Sequence, residues 1–440
     1  MSFRSLTSAR RPWAVIAVAV LAVVSPAFAE EAKQTPFVQS LMANWKQIDV
    51  DADGTISAAE IETALKNPAI QGDGAAAVSA LKLITRSGKV KANALTKTYF
   101  ADYSRQAIGA VKEETKDDVV DSTTTTEGGG RDSTGSQEPT TKPIDSPARW
   151  DRYFAAGKKR LAEAGSTQWN SSTFSLGKMK QGALGDCFFV ASVGSLATHR
   201  PGYLQTLVKQ QPDGSYLATF PNAEPIKVAK LTDSQIAISG TSGEGAFLAV
   251  FEQAYGKYRS KVRGNSTDID GTDALYKGGD SADTLGKLTG HKMTRIAFGK
   301  TLEKRAADAS KVLPKVRELL VYNLKNNLAI TGGGVIGVKK EADQKVEGGT
   351  VPITPPAVLK NHVYVVTDYD PKTDLVTIWN PHSNTFKPKG EPGMKNGYVT
   401  EKGKFTLPLT EAYQFYGSFT FETNEPAKPA ETKKADDQTT

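Results

Sequence analysis

A stretch with almost no core-forming residues divides this chain. From Lys112 to Pro147 it is rich in Thr, Ser, Gly, Asp and Glu, with three consecutive glycines at 128–130. Such a composition cannot bury enough apolar surface to offset the entropy lost on ordering. The 440 residues must therefore fold in separate parts. We predict a flexible linker over 105–148, an N-terminal part over 30–104, a globular part over 149–423 and a disordered tail over 424–440.

The first 29 residues are typical of a secretory signal. Arg4, Arg10 and Arg11 supply a basic start, Trp13–Val24 an apolar stretch, and Ala27–Ala29 a cleavage site of the A-x-A type. The apolar stretch is too short to cross a membrane, which takes about 20 residues. We therefore expect an exported chain, secreted or periplasmic, with no membrane span once the signal is removed.

Charge and cysteine content narrow the functional classes. The net charge of +7 is modest, and no basic stripe interleaved with aromatic residues is present, which argues against nucleic-acid binding. Cys187 is the only cysteine, so no intramolecular disulfide can form. A lone thiol in an exported chain is open to oxidation, and its presence there favours a use for it.

A twelve-residue acidic loop, 49–60, lies between two predicted helices, Pro36–Gln47 and Ala59–Lys66. Its ligand positions match an EF-hand: carboxylates at 1, 3 and 5, a carbonyl at 7, a polar residue at 9 and a glutamate at 12. Gly54 supplies the sharp turn at position 6. The sequence therefore predicts a Ca²⁺ site formed by Asp49, Asp51, Asp53, Thr55, Ser57 and Glu60.

A second stretch, Leu83–Ala94, fits the same frame, with glycine at position 6 and Val90 at position 8. It has no carboxylate, and Arg86, Lys89 and Lys91 would repel a cation. Because EF-hands usually occur in pairs, we interpret it as a degenerate partner that binds no metal.

The sole cysteine lies in the stretch Gln181–Phe189. The apolar residues from Phe188 to Ala197 have helical spacing, and Asp186 stands where an N-cap would. Cys187 is therefore predicted in the first turn of a helix, whose dipole favours the thiolate.

A base for this thiol is sought among only four histidines. His362 begins a β-prone run, a turn follows at 370–374, and Leu375–Asn380 forms a second strand. An antiparallel hairpin centred on that turn brings His362 close to Asn380, to within about two residues of register. An asparagine oxygen there can orient the imidazole.

These motifs resemble the calpain family. Gln181–Phe189 matches its Q-G-x-L-G-D-C-W-[FL] except for Phe188, and 362–367 matches H-A-Y-x-V-T. Asn380-Pro381 matches the start of N-P-W-G, although His382 replaces its Trp and Asn361 replaces the glycine before the histidine. Weaker matches occur at 246–255 and 274–290.

The resemblance implies an α+β, papain-like catalytic core preceded by an all-α EF-hand pair. A helical subdomain would carry Cys187, and a β-rich subdomain His362 and Asn380. The implied activity is a cysteine endopeptidase acting on proteins or peptides, with Gln181 at the oxyanion and Gly278 and Gly279 at the substrate backbone. Two alternatives stay open: a catalytically silent binding module, and an acyl transferase of the transglutaminase type.

Calcium is expected to act outside the catalytic core. The resemblance implies a core calcium ligand three residues before the motif's glutamine, where this chain has Lys178, a cation. We therefore expect calcium to bind only at 49–60, on a module whose long linker couples it weakly unless it docks on the core. On that basis the isolated 149–423 segment would be active without calcium.

Overall fold

The computed structural model describes nine parts of the chain. These are 34–86, 90, 92–114, 149–164, 175–241, 245–334, 345–346, 349–350 and 352–427. The predicted signal at 1–29, the linker beyond residue 114, the tail beyond residue 427 and residues 87–89 and 91 of the second loop lie outside it. No helix within the described ranges has the length and apolarity needed to span a bilayer.

The N-terminal module, residues 34–114, is entirely helical apart from its loops. Thr35 caps its first helix by accepting from the Val38 N–H, and a reciprocal pair of Ser57 and Glu60 caps the third. Its helices are α1 (Pro36–Ala43), α2 (Trp45–Ile48), α3 (Ala58–Leu65), α4 (Gly72–Arg86) and α5 (Lys97–Glu114). Because α5 continues to Glu114, the first ten residues assigned to the linker are helical.

The two loops of the module pair through a short strand-like contact. The Ile56 N–H donates to the Leu95 carbonyl at 2.9 Å, and Thr55 bridges Thr96. The EF-hand pattern in the sequence predicted Val90, at position 8 of the second loop, as the partner of Ile56, whereas the structure has Leu95 there. The difference arises because α4 runs on to Arg86, which pushes the pairing residue towards α5.

The remaining helices and strands form a mixed α and β part. The helices are α6 (Arg149–Ala164), α7 (Cys187–His199), α8 (Tyr203–Leu207), α9 (Asp233–Ile238), α10 (Phe247–Val262), α11 (Ser281–Thr289), α12 (Leu302–Lys325) and α13 (Leu409–Phe415). The strands are β1 (Val208–Gln210), β2 (Tyr216–Ala218), β3 (Ile226–Val228), β4 (His291–Ala297), β5 (Ile330–Gly333), β6 (Lys345–Val346), β7 (Gly349–Thr350), β8 (Tyr364–Asp370), β9 (Leu375–Trp379), β10 (Lys404–Pro408) and β11 (Ser418–Pro426).

One six-stranded antiparallel sheet, in the order β10-β9-β8-β5-β11-β4, dominates this part. Helices α12 and α13 cover it, and α7 lies between it and a helical layer that includes α10 and α11. Ser195 fixes α7 to the sheet, because its hydroxyl donates to the Ile330 carbonyl and accepts the Ile330 N–H. The last strand runs to Pro426, so the tail assigned from 424 begins inside the sheet.

The N-terminal module docks directly on the mixed part. Trp150 and Phe154 of α6 belong to the module's own core, and the Trp150 ring stacks on Phe37 at 5.2 Å. The Thr232 hydroxyl donates to the Leu65 carbonyl at 2.6 Å. From the sequence, we expected the linker to couple the module and the catalytic core weakly unless the module docks on the core. A segment cut at residue 149 would expose both aromatic side chains to water. Its activity without calcium stays a prediction.

Candidate active site

Cys187 opens α7, as the sequence predicts. Its side chain is partly exposed, and its sulfur lies against the backbone N–H of Val363, the residue after His362. Asp186 has the N-cap position but does not cap: its side chain accepts no hydrogen bond from the helix and is fully buried. The predicted location of the thiol is therefore confirmed, and the predicted role of Asp186 is wrong.

The resting site holds a neutral thiol and a neutral imidazole. Burial, with the nearby Asp186 charge adding to it, raises the pKa of Cys187 to about 11. Burial also lowers the pKa of His362 to about 3, and His382 pushes it in the same direction. Desolvation thus outweighs the helix dipole, which the sequence analysis expected to favour the thiolate.

His362 and Asn380 form a direct hydrogen bond. The Nε2 atom of His362 lies 2.8 Å from Oδ1 of Asn380, and both side chains are buried. The backbone N–H of His382 donates to the same Oδ1 at 3.0 Å, which fixes the orientation of the amide. Oδ1 must then accept a proton from Nε2, so the lone pair of the neutral ring is on Nδ1. His362 is in the tautomer that a general base at Nδ1 requires.

Gln181 joins the cysteine loop to the asparagine loop. Its backbone N–H donates to the Pro381 carbonyl at 2.8 Å, and its side-chain Nε2 donates to the Leu184 carbonyl at 2.7 Å. The amide has a second N–H, and Oε1 has no hydrogen-bond partner among the described residues.

The chain departs from the calpain pattern at three residues of the site: Phe188, Asn361 and His382. The His382 ring takes the tryptophan position and stacks on His362, 4.9 Å between centroids and 8° between planes. Asn361 has a φ of 49°, in the left-handed region that glycine enters freely and asparagine tolerates. Phe188 is buried, with the Arg259 guanidinium 4.9 Å from its ring centroid.

Gly278 and Gly279 lie beside the cysteine loop. Gly279 packs on Phe188 so closely that an added Cβ would lie 2.5 Å from that ring. Gly278 has a φ of 82°, and its carbonyl accepts from Arg259 at 3.0 Å. Both glycines are thus near the cysteine loop, and their contact with a substrate backbone stays a prediction.

A buried pair of carboxyl groups, Asp186 and Glu252, lies next to Cys187 and was not predicted from the sequence. Asp186 and Glu252 are fully buried, with their carboxyl groups in contact. Glu252 also accepts the Gly240 N–H through both oxygens, at 2.9 and 3.1 Å. Burial raises the pKa of both groups, that of Asp186 to about 7. Two adjacent buried carboxyls cannot both ionise cheaply, so they share a proton near neutral pH. The sequence feature that could have indicated this pair is Glu252, the glutamate within the 246–255 match to the calpain pattern.

This pair predicts a pH-dependent gain from neutralising Glu252. Between about pH 4 and 7 the folded state keeps a proton that the unfolded chain loses, so the unfolding free energy falls as pH rises. Glu252→Gln keeps an acceptor for Gly240 and removes one ionisable group. We expect its melting temperature to exceed that of the wild type at pH 8, by roughly 2–4 °C per kcal/mol regained, and to match it at pH 4. Melting curves at both pH values measure this; an equal shift at both would rule out proton sharing.

The other two histidines have structural partners. Nε2 of His199 lies 2.9 Å from the Val366 carbonyl, and Nδ1 of His291 lies 2.7 Å from the Glu422 carboxylate. Neither contact involves the cysteine loop.

The acidic loop gathers its carboxylates. Asp49, Asp51 and Asp53 each offer an oxygen within 4.8 Å of the others. Oδ1 of Asp49 is buried and has no hydrogen-bond partner among the residues that the structure describes. Gly54 turns the loop with a φ of 84°. Glu60 accepts the Val50 and Ser57 N–H groups at 2.7 and 2.8 Å, so it already folds back over the loop.

A cysteine at a helix N terminus, together with a hydrogen-bonded pair of His362, just before β8, and Asn380, just after β9, is the side-chain set of papain-like cysteine proteases. Residues 138–395 match the calpain family cysteine protease domain, which is more than half of the chain. The chain therefore belongs to the calpain family of cysteine proteases. No curated protein matches it.

Proposed function

We propose that this chain is a cysteine endopeptidase that hydrolyses peptide bonds of protein substrates. The observation that carries the proposal is the 2.8 Å bond between His362 Nε2 and Asn380 Oδ1, with Cys187 against the adjoining Val363 amide. That bond leaves the other ring nitrogen, Nδ1, unprotonated at the edge of the ring away from Asn380.

The chemistry follows from these groups. His362 Nδ1 takes the thiol proton as the sulfur of Cys187 attacks the scissile carbonyl carbon, and then gives that proton to the leaving amine. The acyl thioester that remains is cleaved by water, whose proton returns through His362 to the sulfur. Asn380 keeps the ring in one tautomer. Gln181 and the Cys187 N–H are the donors proposed for the oxyanion, and Gly278 and Gly279 the contacts proposed for the substrate backbone.

The two alternatives are separated by one pair of assays on the purified chain. An epoxide thiol probe reports a reactive Cys187 by mass, and casein zymography reports hydrolysis. An endopeptidase gives both signals, a silent binding module gives neither, and an acyl transferase is labelled but does not digest casein. Labelling without digestion, or neither signal, would reject the proposal.

We also propose that the N-terminal module is an EF-hand pair that holds one Ca²⁺. The clustered carboxylates and the unpartnered, buried Asp49 Oδ1 fit a hard cation that prefers oxygen ligands. Asp49, Asp51, Asp53, Thr55, Ser57 and Glu60 are the residues that would hold it. The ion would supply no catalytic chemistry there and would act on the packing of the module.

Calorimetric titration of the chain with Ca²⁺ is expected to give a stoichiometry of one. Asp49→Ala should abolish binding because it removes the buried ligand at loop position 1. Asp73→Ala, which removes an exposed acid of the same module, is the matched control and should leave binding unchanged. A stoichiometry of two would contradict the degenerate second loop, and binding that survives Asp49→Ala would contradict the site.

Export to the periplasm or beyond the cell is proposed on the sequence of residues 1–29 alone. The mature chain is expected to begin at Glu30, after the A-x-A site. N-terminal sequencing of protein recovered from the periplasm or medium tests this. A cytoplasmic chain that keeps its first 29 residues would contradict it.

A further inference from the structure

The C-terminal end of α4 reaches from the N-terminal module to the segment that precedes Gly278 and Gly279. The Nη2 atom of Arg86 lies 2.8 Å from Oδ1 of Asp273 and donates to the Thr272 hydroxyl at 2.8 Å. Its guanidinium lies 4.9 Å from the ring centroid of Tyr276. Lys82, one turn earlier, adds a second ion pair to Asp273 at 2.9 Å. Both cationic side chains are over 90% buried, with exposures of 6% and 8%.

The segment that Arg86 contacts is packed against the cysteine loop. The short 3₁₀ turn Gly271–Ala274 leads to Tyr276, whose carbonyl oxygen would lie 2.6 Å from a Cβ added at Gly185. The backbones of the two segments therefore touch one residue before Asp186. Three residues after Tyr276, Gly279 packs on Phe188, the residue that follows the nucleophile.

Two arginines hold this segment from different parts of the chain. Arg259 of α10 donates to the carbonyls of Ala274 and Gly278, at 3.1 and 3.0 Å. Arg86, from the module, fixes the side chains of Thr272, Asp273 and Tyr276. The backbone near the nucleophile is thus supported on one side by its own domain and on the other by the module.

We infer that Arg86 is a positioning residue of the active site: it holds the segment 271–279 against the loop of Gly185 and Cys187. The N-terminal module is then part of the catalytic structure. The inference extends the proposed peptidase, on which its kinetic readout rests, and concerns how that site is kept in shape.

The contact is separable from the docking of the module. Docking also uses the stacked Phe37 and Trp150 rings, the Thr232 bond to Leu65 and the Gly72 N–H bond to Asp233, none of which involves Arg86. A change at Arg86 therefore leaves the rest of the interface intact. Lys158 offers a matched control, because it pairs with Asp73 across the same interface at the other end of α4, where both side chains are exposed.

The test compares Arg86→Met with Lys158→Met in the full chain. Methionine keeps most of the apolar stem, so the expected loss comes from the guanidinium. We expect kcat/KM for a peptide substrate to fall about 10- to 100-fold in Arg86→Met, mainly through KM, and to stay at the wild-type value in Lys158→Met. Alkylation of Cys187 by iodoacetamide, which needs no cleft, should stay within about a factor of two of wild type because it follows the thiolate fraction.

Hydrogen exchange gives a readout that needs no activity. Amides of 271–279 and 182–187 should exchange faster in Arg86→Met than in wild type or Lys158→Met. If Arg86→Met does not fold, Arg86→Lys replaces it: lysine keeps the charge opposite Asp273 and loses the planar stack on Tyr276. Unchanged exchange in these segments overturns the inference. Absent hydrolysis in the wild type with altered exchange instead rejects the peptidase and leaves the positioning role supported.

A double-mutant cycle separates positioning through Asp273 from a general loss of charge. Arg86→Met combined with Asp273→Asn should cost less than the sum of the two single variants, because the two changes share one ion pair. Additive losses would show that Arg86 acts elsewhere and would overturn the assigned route.

Discussion

Cys187→Ala is expected to abolish peptide hydrolysis while leaving the fold intact. Cys187 is the only cysteine in the chain, and it opens a helix beside Val363, the residue that follows His362. Removing the nucleophile from such a unit typically costs a factor of about 10⁴ to 10⁶ in kcat. Steady-state hydrolysis of a quenched peptide, with burst analysis for acyl-enzyme, measures the effect. Alanine in place of a half-buried cysteine at a helix start should change stability little.

The control for this prediction is Ser192→Ala, one turn further along the same helix. Ser192 is buried and its hydroxyl bonds the Phe188 carbonyl, so its loss perturbs α7 without touching the thiol. Ser192→Ala should retain most activity. Residual hydrolysis above roughly a hundredth of wild type in Cys187→Ala would remove Cys187 from the role of nucleophile.

The meeting of His362 and Asn380 could be predicted because a hairpin is local. A turn at 370–374 between two β-prone runs leaves little choice of partner strands. The exact pairing register of β8 and β9 could not be predicted. Asp370 pairs with Leu375, so the turn is centred between 372 and 373, which alone would set His362 opposite Ser383. A bulge between Val366 and Asp368 moves this back by one residue, to His382. The bulge adds a residue that alternation of side chains does not reveal. The stacked imidazoles are the result of that shift, and Asn380 reaches His362 from two residues away.

The state of the thiol could not be predicted from the helix start alone. A helix dipole is a local property, whereas the desolvation that raises the pKa of Cys187 depends on residues far along the chain. The same holds for Asp186, whose position indicates an N-cap. Its side chain instead turns inwards to Glu252, which lies 66 positions later in the sequence and is invisible to any local pattern.

The interface between module and protease was equally hidden. On the sequence, Arg86 is a cation that spoils a calcium loop, and nothing connects it with Asp273. The described structure gives it a partner almost 190 residues away. A linker without core-forming residues indicates only that the two parts can separate. Whether they dock depends on the match between their surfaces, here Phe37 with Trp150 and the α4 cations with Asp273.

His362→Ala is expected to lower kcat by about 10³- to 10⁴-fold, because it removes the group proposed to accept and return the thiol proton. Asn380→Ala should be milder, by roughly 5- to 30-fold, since it removes a hydrogen bond of about 1–2 kcal/mol that orients the ring and exchanges no proton.

Two residues with known contacts, Asn384 and His199, provide the controls for this pair of variants. Asn384→Ala removes only the acceptor of Asn380 Nδ2 and should be milder still, and His199→Ala breaks a buried contact to the Val366 carbonyl without touching the site. The order of severity, His362 before Asn380 before Asn384, follows from the proposed roles and the contacts. Nδ1 of His362 is the proposed base, Asn380 holds Nε2 of that ring, and Asn384 holds Asn380. Initial rates over a pH series, with circular dichroism to verify folding, determine this order. A larger loss for His199→Ala or His382→Ala than for His362→Ala would mean that the base has been assigned to the wrong ring.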